Sequence, residues 1–116
     1  MLPARARLTS SAGFKAVYVR GRSYATDLII VYVLRRAGGS RVRFGFSAGR
    51  KLGGAVQRNR AKRLMREAAR TLLPQITGGW DIVVLGRRGI AQSAFTDVLA
   101  DLENLLGRAG VLMDGG

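Results

Sequence analysis

The sequence contains neither cysteine nor histidine, and only seven of its 116 residues are acidic. Without cysteine there can be no disulfide and no thiolate metal site, and without histidine there is no imidazole catalysis. Between Asp27 and Asp81 the only acidic residue is Glu67, so no carboxylate cluster is evident that could hold the metal ions of a nuclease. These absences argue against an enzyme that cleaves nucleic acid with its own side chains.

Long hydrophobic runs are missing as well. The longest uninterrupted apolar segment, Leu28 to Leu34, is far too short to span a bilayer. The N-terminal segment MLPARARLTSS has no apolar stretch of signal-peptide length, so we expect a cytoplasmic protein. Apolar residues make up 47% of the chain. This content predicts one domain, 1–116, with an ordered core from about 7 to 106 and short tails.

What the sequence has in excess is positive charge. The net charge is +13, and it is unevenly spread, because residues 1–80 carry +15 and residues 81–116 carry −2. Such asymmetry indicates that one side of the molecule binds a polyanion. Nucleic acid is the favoured partner. An anionic membrane is the alternative, but it would call for an amphipathic helix with exposed aromatic residues, and none is evident.

Positive charge is densest in QRNRAKRLMREAAR, where Glu67 is the only acid. The spacing of apolar residues predicts a helix over 56–73. At about 100° per residue, one face of this helix is apolar and comprises Ala61, Leu64, Met65, Ala68, Ala69 and Leu72. Arg63 and Glu67 have the i, i+4 spacing of an ion pair. The remaining arc is basic and polar and comprises Arg58, Asn59, Arg60, Lys62, Arg63, Arg66 and Arg70.

A solvated charged face is the ordinary explanation for such an arc, but solvated faces usually mix both signs. Here like charges repel across neighbouring turns unless a partner neutralises them. Just before the helix, GRKLGGAV places Arg50 and Lys51 between glycines, which allow close approach of the backbone to phosphate at a helix N-terminus. The segment lacks the spacing of a Walker A loop. We interpret loop and helix together as a nucleic-acid surface.

The other segments predict a small α+β domain. A first helix is expected over Thr9 to Arg20 with Thr9 or Ser10 as N-cap, and a last helix over Ser93 to Leu106 with Ser93 as N-cap. Strands are expected at four segments: 22–25, where the signal is weak, 27–36, 41–48 and 80–85.

These elements give the order α-β-β-β-α-β-α, a two-layer α/β sandwich of the split-βαβ type with a crossover helix on one sheet. The AGGS turn, Ala37 to Ser40, favours an antiparallel hairpin between strands 27–36 and 41–48. The connection from 41 to 85 has room for a β-α-β crossover, so strand 80–85 can lie parallel to strand 41–48.

The segment RVRFGFSAGRKLGGAVQRNRAKRLMREAAR strongly resembles the protein subunit of bacterial ribonuclease P. The family signature is an Arg-Asn-Arg run, then Lys-Arg, then Arg-Glu or a similar pair. These correspond to Arg58-Asn59-Arg60, Lys62-Arg63 and Arg66-Glu67. RLTSSAGFKAVYVRGRSY resembles the family's first helix and WDIVVLGRRG its late strand, so the resemblance covers roughly residues 7–106.

The resemblance implies a ribonucleoprotein in which the RNA subunit performs catalysis with Mg²⁺. The protein would bind that RNA and the 5′ leader of precursor tRNA, and so support endonucleolytic removal of the leader. The sequence itself assigns no cofactor to the protein alone, and no obligate protein partner is evident. A left-handed crossover is implied too, where general rules favour a right-handed one. By position, the RNA-binding residues would be Arg50, Lys51, Arg58, Asn59, Arg60, Lys62, Arg63 and Arg66.

The resemblance also assigns Phe14, Tyr18 and Tyr32 to a leader-binding cleft between the first helix and the sheet. Phe14 and Tyr18, at i, i+4, fit a hydrophobic core equally well, and Tyr32 lies in a strand with the pattern of a buried one. Phe44 and Phe46 are expected in the core. The alternative function is a general basic RNA-binding or ribosome-associated architectural protein.

Overall fold

The computed structural model describes residues 2–36, 38–39 and 41–113. Two residues of the predicted AGGS turn, Ala37 and Ser40, lie outside the described residues. Within them, α-helices and strands follow one another in the predicted order, which confirms the α+β class. They are α1 (Ser11–Arg20), β1 (Arg22–Ala25), β2 (Ile29–Arg35), β3 (Arg43–Ser47), α2 (Ala55–Leu72), β4 (Trp80–Gly86) and α3 (Phe95–Arg108).

The strands form one mixed sheet in the order β1-β2-β4-β3. β4 pairs antiparallel to β2, with Val31 opposite Val84, and parallel to β3, with Phe44 opposite Ile82. The predicted parallel pairing of β3 and β4 is confirmed, whereas the predicted β2–β3 hairpin is wrong. The reason lies in β4, whose residues 82–84 are all fully buried. A strand that is apolar on both faces is stable between two other strands, and it therefore separates β2 from β3.

The two faces of the sheet carry separate cores. Ile29, Val31 and Val33 of β2 belong to the larger core, with the apolar faces of α2 and α3. The alternate residues of the strands point to the other face, towards α1. On this face Val17 of α1 and Val83 of β4 are fully buried, and Tyr32 of β2 is half-buried. α1 therefore lies on the face of the sheet opposite to α2 and α3. The left-handed sense of the β3–α2–β4 crossover stays a prediction.

The apolar face of α2 is as predicted. All six of its core residues are at most 8% exposed, while the helix itself begins and ends one residue earlier than expected. Burying a side chain of the size of Leu64 or Leu72 stabilises a fold by about 1.5–3 kcal/mol. This packing fixes the rotation of α2, so the opposite basic arc has one defined orientation. No helix among the residues described is both long and apolar enough to cross a membrane.

The N-terminal segment is an integral part of the fold. Leu2, Ala6 and Leu8 are 3–5% exposed, and the amide of Leu8 donates to the carbonyl of Phe44 at 2.6 Å. Arg7 forms a parallel bridge with Phe44, so residues 2–8, the N-terminal strap, cover the outer edge of β3. At the other end of the chain Val111 is buried. Packing thus extends beyond the core expected over 7–106.

One predicted helix cap is confirmed and one is wrong. The Ser10 hydroxyl accepts from the amide of Gly13 at 3.0 Å, as an N-cap does. The Ser93 hydroxyl instead donates to the carbonyl of Ile90 at 2.6 Å. Residues 90–92 form a short 3-10 helix, and Ser93 closes it. α3 therefore begins only at Phe95 and continues to Arg108.

Candidate RNA interface

The basic arc of α2 lies on the side of the helix away from the core. Asn59, Arg60, Arg63 and Arg66 are exposed, and Arg58 and Lys62 are half-buried. The structure therefore places all six predicted α2 residues on one solvent-facing arc, with their orientation set by the buried face. An array of this kind can bind phosphates along an RNA backbone.

The predicted basic loop precedes α2 directly. Arg50 and Lys51 are exposed residues of a short 3-10 helix. Gly53 follows at φ +118°, a conformation that favours glycine, and turns the chain into α2. Gly54 is the N-cap of α2 and contributes no side-chain hydrogen bond, so the first-turn amides remain available to an anion.

Three arginines of the arc already make hydrogen bonds within the protein, and one of them is Arg66, whose Nε donates to the carbonyl of Lys62 at 3.3 Å. Arg60 Nε donates to the backbone carbonyl of Ala91 at 2.6 Å, which connects α2 to the turn between β4 and α3. Arg70 Nη2 lies 3.0 Å from Glu67 Oε2. The expected Arg63–Glu67 pair is therefore wrong, because Arg70 reaches the same carboxylate with both Nε and Nη2. Within the described parts of the chain, Arg63 forms no ion pair.

The three predicted cleft aromatics lie together on the α1 face of the sheet. The ring centroids of Phe14 and Tyr18 are 6.3 Å apart, and Tyr18 meets Tyr32 edge-to-face at 4.9 Å. Phe14 and Tyr32 pack against the small core under α1, whereas Tyr18 is 39% exposed. The cluster is thus anchored in a core and presents one ring to solvent, and its role as a leader-binding cleft stays a prediction. Burial raises the pKa of Tyr18, with a smaller contribution from Tyr32 and an opposing one from Ser47, so its hydroxyl is neutral at physiological pH.

Gly45 makes this cluster possible, and sequence reasoning missed its role. A Cβ atom at Gly45 would lie 2.5 Å from Phe14 Cζ, so the ring rests directly on the strand backbone. A glycine inside an otherwise alternating strand is the sequence signal for such a close approach.

A groove joins the aromatic cluster to the basic helix. It has a volume of about 350 Å³ and runs between the N-terminal strap, Phe14 and Phe46 on one side and Lys62 and Arg66 on the other. Phe44 is buried as predicted, but Phe46 is only half-buried and faces this groove. Arg7 also lines it. The sequence pattern did not show this, because the strap resembled an unstructured tail.

A second groove lies beyond the aromatic cluster at the end of the sheet. Its volume is about 790 Å³, its floor contains Ile30 and Leu85, and its rim carries the predicted Arg50 and Lys51. Arg87 and Arg88, from the turn after β4, complete this rim. Sequence analysis did not assign these two arginines to the RNA surface. No cluster of three or more potential metal-binding side chains occurs in residues 2–36, 38–39 and 41–113.

A family model described as Ribonuclease P matches residues 2–110 of the chain. The chain belongs to the ribonuclease P protein family. A relative from Symbiobacterium thermophilum, named ribonuclease P protein component, is 46% identical over 110 residues, which are 95% of this chain and 96% of the relative. A ribonuclease P protein component from Chloroflexus aggregans is 41% identical over 109 residues, covering 91% of this chain and 78% of the relative.

Solved structures of ribonuclease P proteins share the fold. The protein from Staphylococcus aureus superposes with a TM-score of 0.83 at 31% identity, covering 92% of this chain and 97% of that one. The protein from Thermotoga maritima superposes with a TM-score of 0.78 at 32% identity, covering 88% of this chain and 96% of that one. The predicted family is thereby confirmed. The chain is a protein component of an RNA-based endoribonuclease, and this function is supported over that of a general architectural RNA-binding protein.

Proposed function

We propose that this chain binds ribonuclease P RNA through α2 and the loop before it, and holds the 5′ leader of precursor tRNA along the α1 face of the sheet. The observation that carries the proposal is the groove that runs from Phe14, at the edge of the aromatic cluster, to Lys62 and Arg66. Aromatic rings and cations meet there on one continuous surface. Single-stranded RNA requires both, because its bases stack and its backbone is negatively charged.

Binding of the RNA subunit is supported by the rigidity of the basic arc. α2 is fixed by six buried residues, so Arg58, Arg63 and Arg66 are held on one side of a stable helix. Arg58 Nε is moreover buried without a hydrogen-bond partner among the described residues. A rotation of this half-buried side chain toward bound RNA would let a phosphate oxygen supply the missing acceptor.

Mg²⁺ would be held by the RNA and its substrate. The chain has few carboxylates, and the buried Asp81 is already occupied by Arg36 and Arg43, whereas magnesium prefers oxygen ligands with several waters. The protein's own contribution would be to neutralise phosphates and so lower the Mg²⁺ concentration that the assembled RNA requires. Its place of action would be the cytoplasm, where precursor tRNA is made in bacteria.

Reconstitution tests the proposal. Purified chain is mixed with ribonuclease P RNA and precursor tRNA at a Mg²⁺ concentration too low for the RNA alone. We expect mature 5′ ends only when both components are present. Binding of RNA without restored cleavage would contradict the proposed role in leader removal.

A matched pair of α1 variants tests the cleft. Tyr18→Ala removes the exposed ring of the cluster, and we expect it to weaken binding of precursor tRNA by about 5- to 150-fold, since stacking contributes about 1–3 kcal/mol per base. Val19→Ala is the control, because Val19 is the next residue and is 71% exposed. Substrates with and without a 5′ leader are compared. An equal loss for both substrates would exclude leader contact by Tyr18.

A further inference from the structure

Five arginines outside the predicted RNA-binding set lie at one end of the sheet. At this end Arg35 is opposite Trp80 and Arg43 is opposite Asp81. Arg50 and Lys51 follow the other end of β3, which is about 15 Å away along the strand. We call the five residues the far-end arginines: Arg5, Arg35, Arg36, Arg41 and Arg43.

Asp81 holds two of the far-end arginines in place. Its side chain is 5% exposed and accepts from Arg43 Nε at 2.8 Å and from Arg43 Nη2 at 2.7 Å. Arg36 Nε forms an ion pair with the same carboxylate at 2.9 Å, and Arg36 Nη2 donates to the carbonyl of Arg41 at 2.6 Å. The hydrogen bond to Asp81 raises the pKa of Arg43. Both guanidinium groups are therefore preorganised, which reduces the entropy cost of binding an anion.

The other three arginines extend this charge to the surface around it. The Arg35 guanidinium lies 5.7 Å from the centroid of the Trp80 ring, in a cation–π arrangement. Arg5 and Arg41 are exposed and border a depression of about 250 Å³ whose floor includes Val42 and Leu73. A depression of this size with two guanidinium groups at its rim can accept a phosphate.

The charge at this end is not balanced by the protein. Asp81 is the only carboxylate that pairs with any far-end arginine in the described part of the chain. An ordinary solvated face carries both positive and negative side chains. This end of the sheet differs, because it has five guanidinium groups and one buried carboxylate. All five residues are arginines, and the planar guanidinium group can donate two parallel hydrogen bonds to one phosphate.

We propose that the far-end arginines bind a second stretch of RNA backbone, distinct from the stretch bound by α2 and the loop before it. The inference rests on the proposed function, because it requires the chain to act in a complex with RNA. The ligand is a run of phosphodiesters, from ribonuclease P RNA or from the body of precursor tRNA. Contacts at both ends of the sheet would fix the orientation of the protein on its RNA.

Charge-removing variants of the intact protein test this surface. Arg5→Gln and Arg41→Gln are made singly and together, because neither side chain makes a hydrogen bond within the part of the chain that the structure describes. Arg108→Gln, in the last turn of α3, removes one charge elsewhere and is the matched control. Affinity for ribonuclease P RNA, and affinity of the reconstituted complex for precursor tRNA, are measured at several salt concentrations.

Each lost phosphate contact should weaken binding about fourfold at 200 mM salt and about fifteenfold at 50 mM, and lower the log–log salt slope by about 0.7–0.9. A loss with ribonuclease P RNA identifies that RNA as the source of the phosphates, and a loss confined to precursor tRNA identifies the tRNA body. If the double variant behaves like Arg108→Gln toward both RNAs while Arg63→Gln binds more weakly, the far-end site is refuted and the proposed function stands. Failure of wild-type protein to restore cleavage would instead overturn the proposed function, and this inference with it.

Discussion

Arg60 and Arg63 lie three residues apart on the basic arc of α2, yet their side chains have different surroundings. Arg60 Nε donates to the carbonyl of Ala91, whereas Arg63 is exposed and forms no ion pair in the described residues. The first arginine therefore stabilises the fold as well as carrying charge. The sequence predicts the same role for both, because the partner of Arg60 is a backbone atom 31 residues away.

Replacing each arginine with alanine should separate these roles. Arg63→Ala should weaken RNA binding and leave the melting temperature unchanged. Arg60→Ala should also weaken binding, and in addition lower the free energy of unfolding by about 1–2 kcal/mol, because it removes a hydrogen bond from a charged donor. Thermal melts beside RNA titrations measure both effects. A normal melt for Arg60→Ala would show that the contact with Ala91 contributes nothing to stability.

Gly45 shows how one missing side chain can shape a binding site. Gly45→Ala would place a methyl group 2.5 Å from Phe14 Cζ, so the ring has to move off the strand. We expect weaker binding of leader-containing precursor tRNA, with binding of ribonuclease P RNA nearly unchanged. Gly49→Ala is the control, because a Cβ atom there meets nothing within 4 Å. Equal leader affinity in the two variants would show that the position of Phe14 is unimportant.

Among the elements, the helices were more predictable than the sheet. The apolar residues of α2 recur with helical spacing, and this local signal identified all six buried positions. Strand pairing depends on the whole chain, because β2 is followed by a turn and β3 in sequence but pairs with β4. The N-terminal strap was missed for a related reason, because Leu2 and Ala6 pack into the large core and Leu8 into the small one, and both cores are built from distant parts of the chain.

The strap and α2 offer a direct comparison of two buried leucines. Leu8→Ala and Leu64→Ala remove side chains that are 4% and 8% exposed, and each should lower the free energy of unfolding by about 2–5 kcal/mol. Chemical denaturation measures the two values. A change below about 0.5 kcal/mol for Leu8→Ala would mean that the strap detaches before the rest of the protein unfolds.

At the scale of the whole molecule, charge divides the surface into basic regions and a more acidic one. Most of the basic residues lie on α2, its preceding loop and the sheet ends, while α3 carries Asp97, Asp101 and Glu103 beside a single arginine, Arg108. RNA should therefore approach from the basic sides and be repelled by α3. The sequence predicted the imbalance between the two halves of the chain. It did not predict the basic surface at the far end of the sheet, because the strap that brings Arg5 beside Arg41 was not expected to pack there.

This charge distribution predicts a steep salt dependence. With six or more phosphate contacts, affinity for ribonuclease P RNA should fall by at least about a thousandfold between 50 and 200 mM salt. Filter binding or fluorescence titration over this range provides the slope. A nearly flat dependence would contradict the assignment of the basic surfaces to RNA phosphates.

The central place of β4 also has a consequence for synthesis of the chain. β2 and β3 both pair with β4, which the ribosome completes only at Gly86. Until then the two earlier strands emerge with unpaired edges and no common partner, a state that favours aggregation in nascent chains. A message truncated before Trp80 would therefore yield a product that cannot form its sheet, although it already contains the whole basic helix.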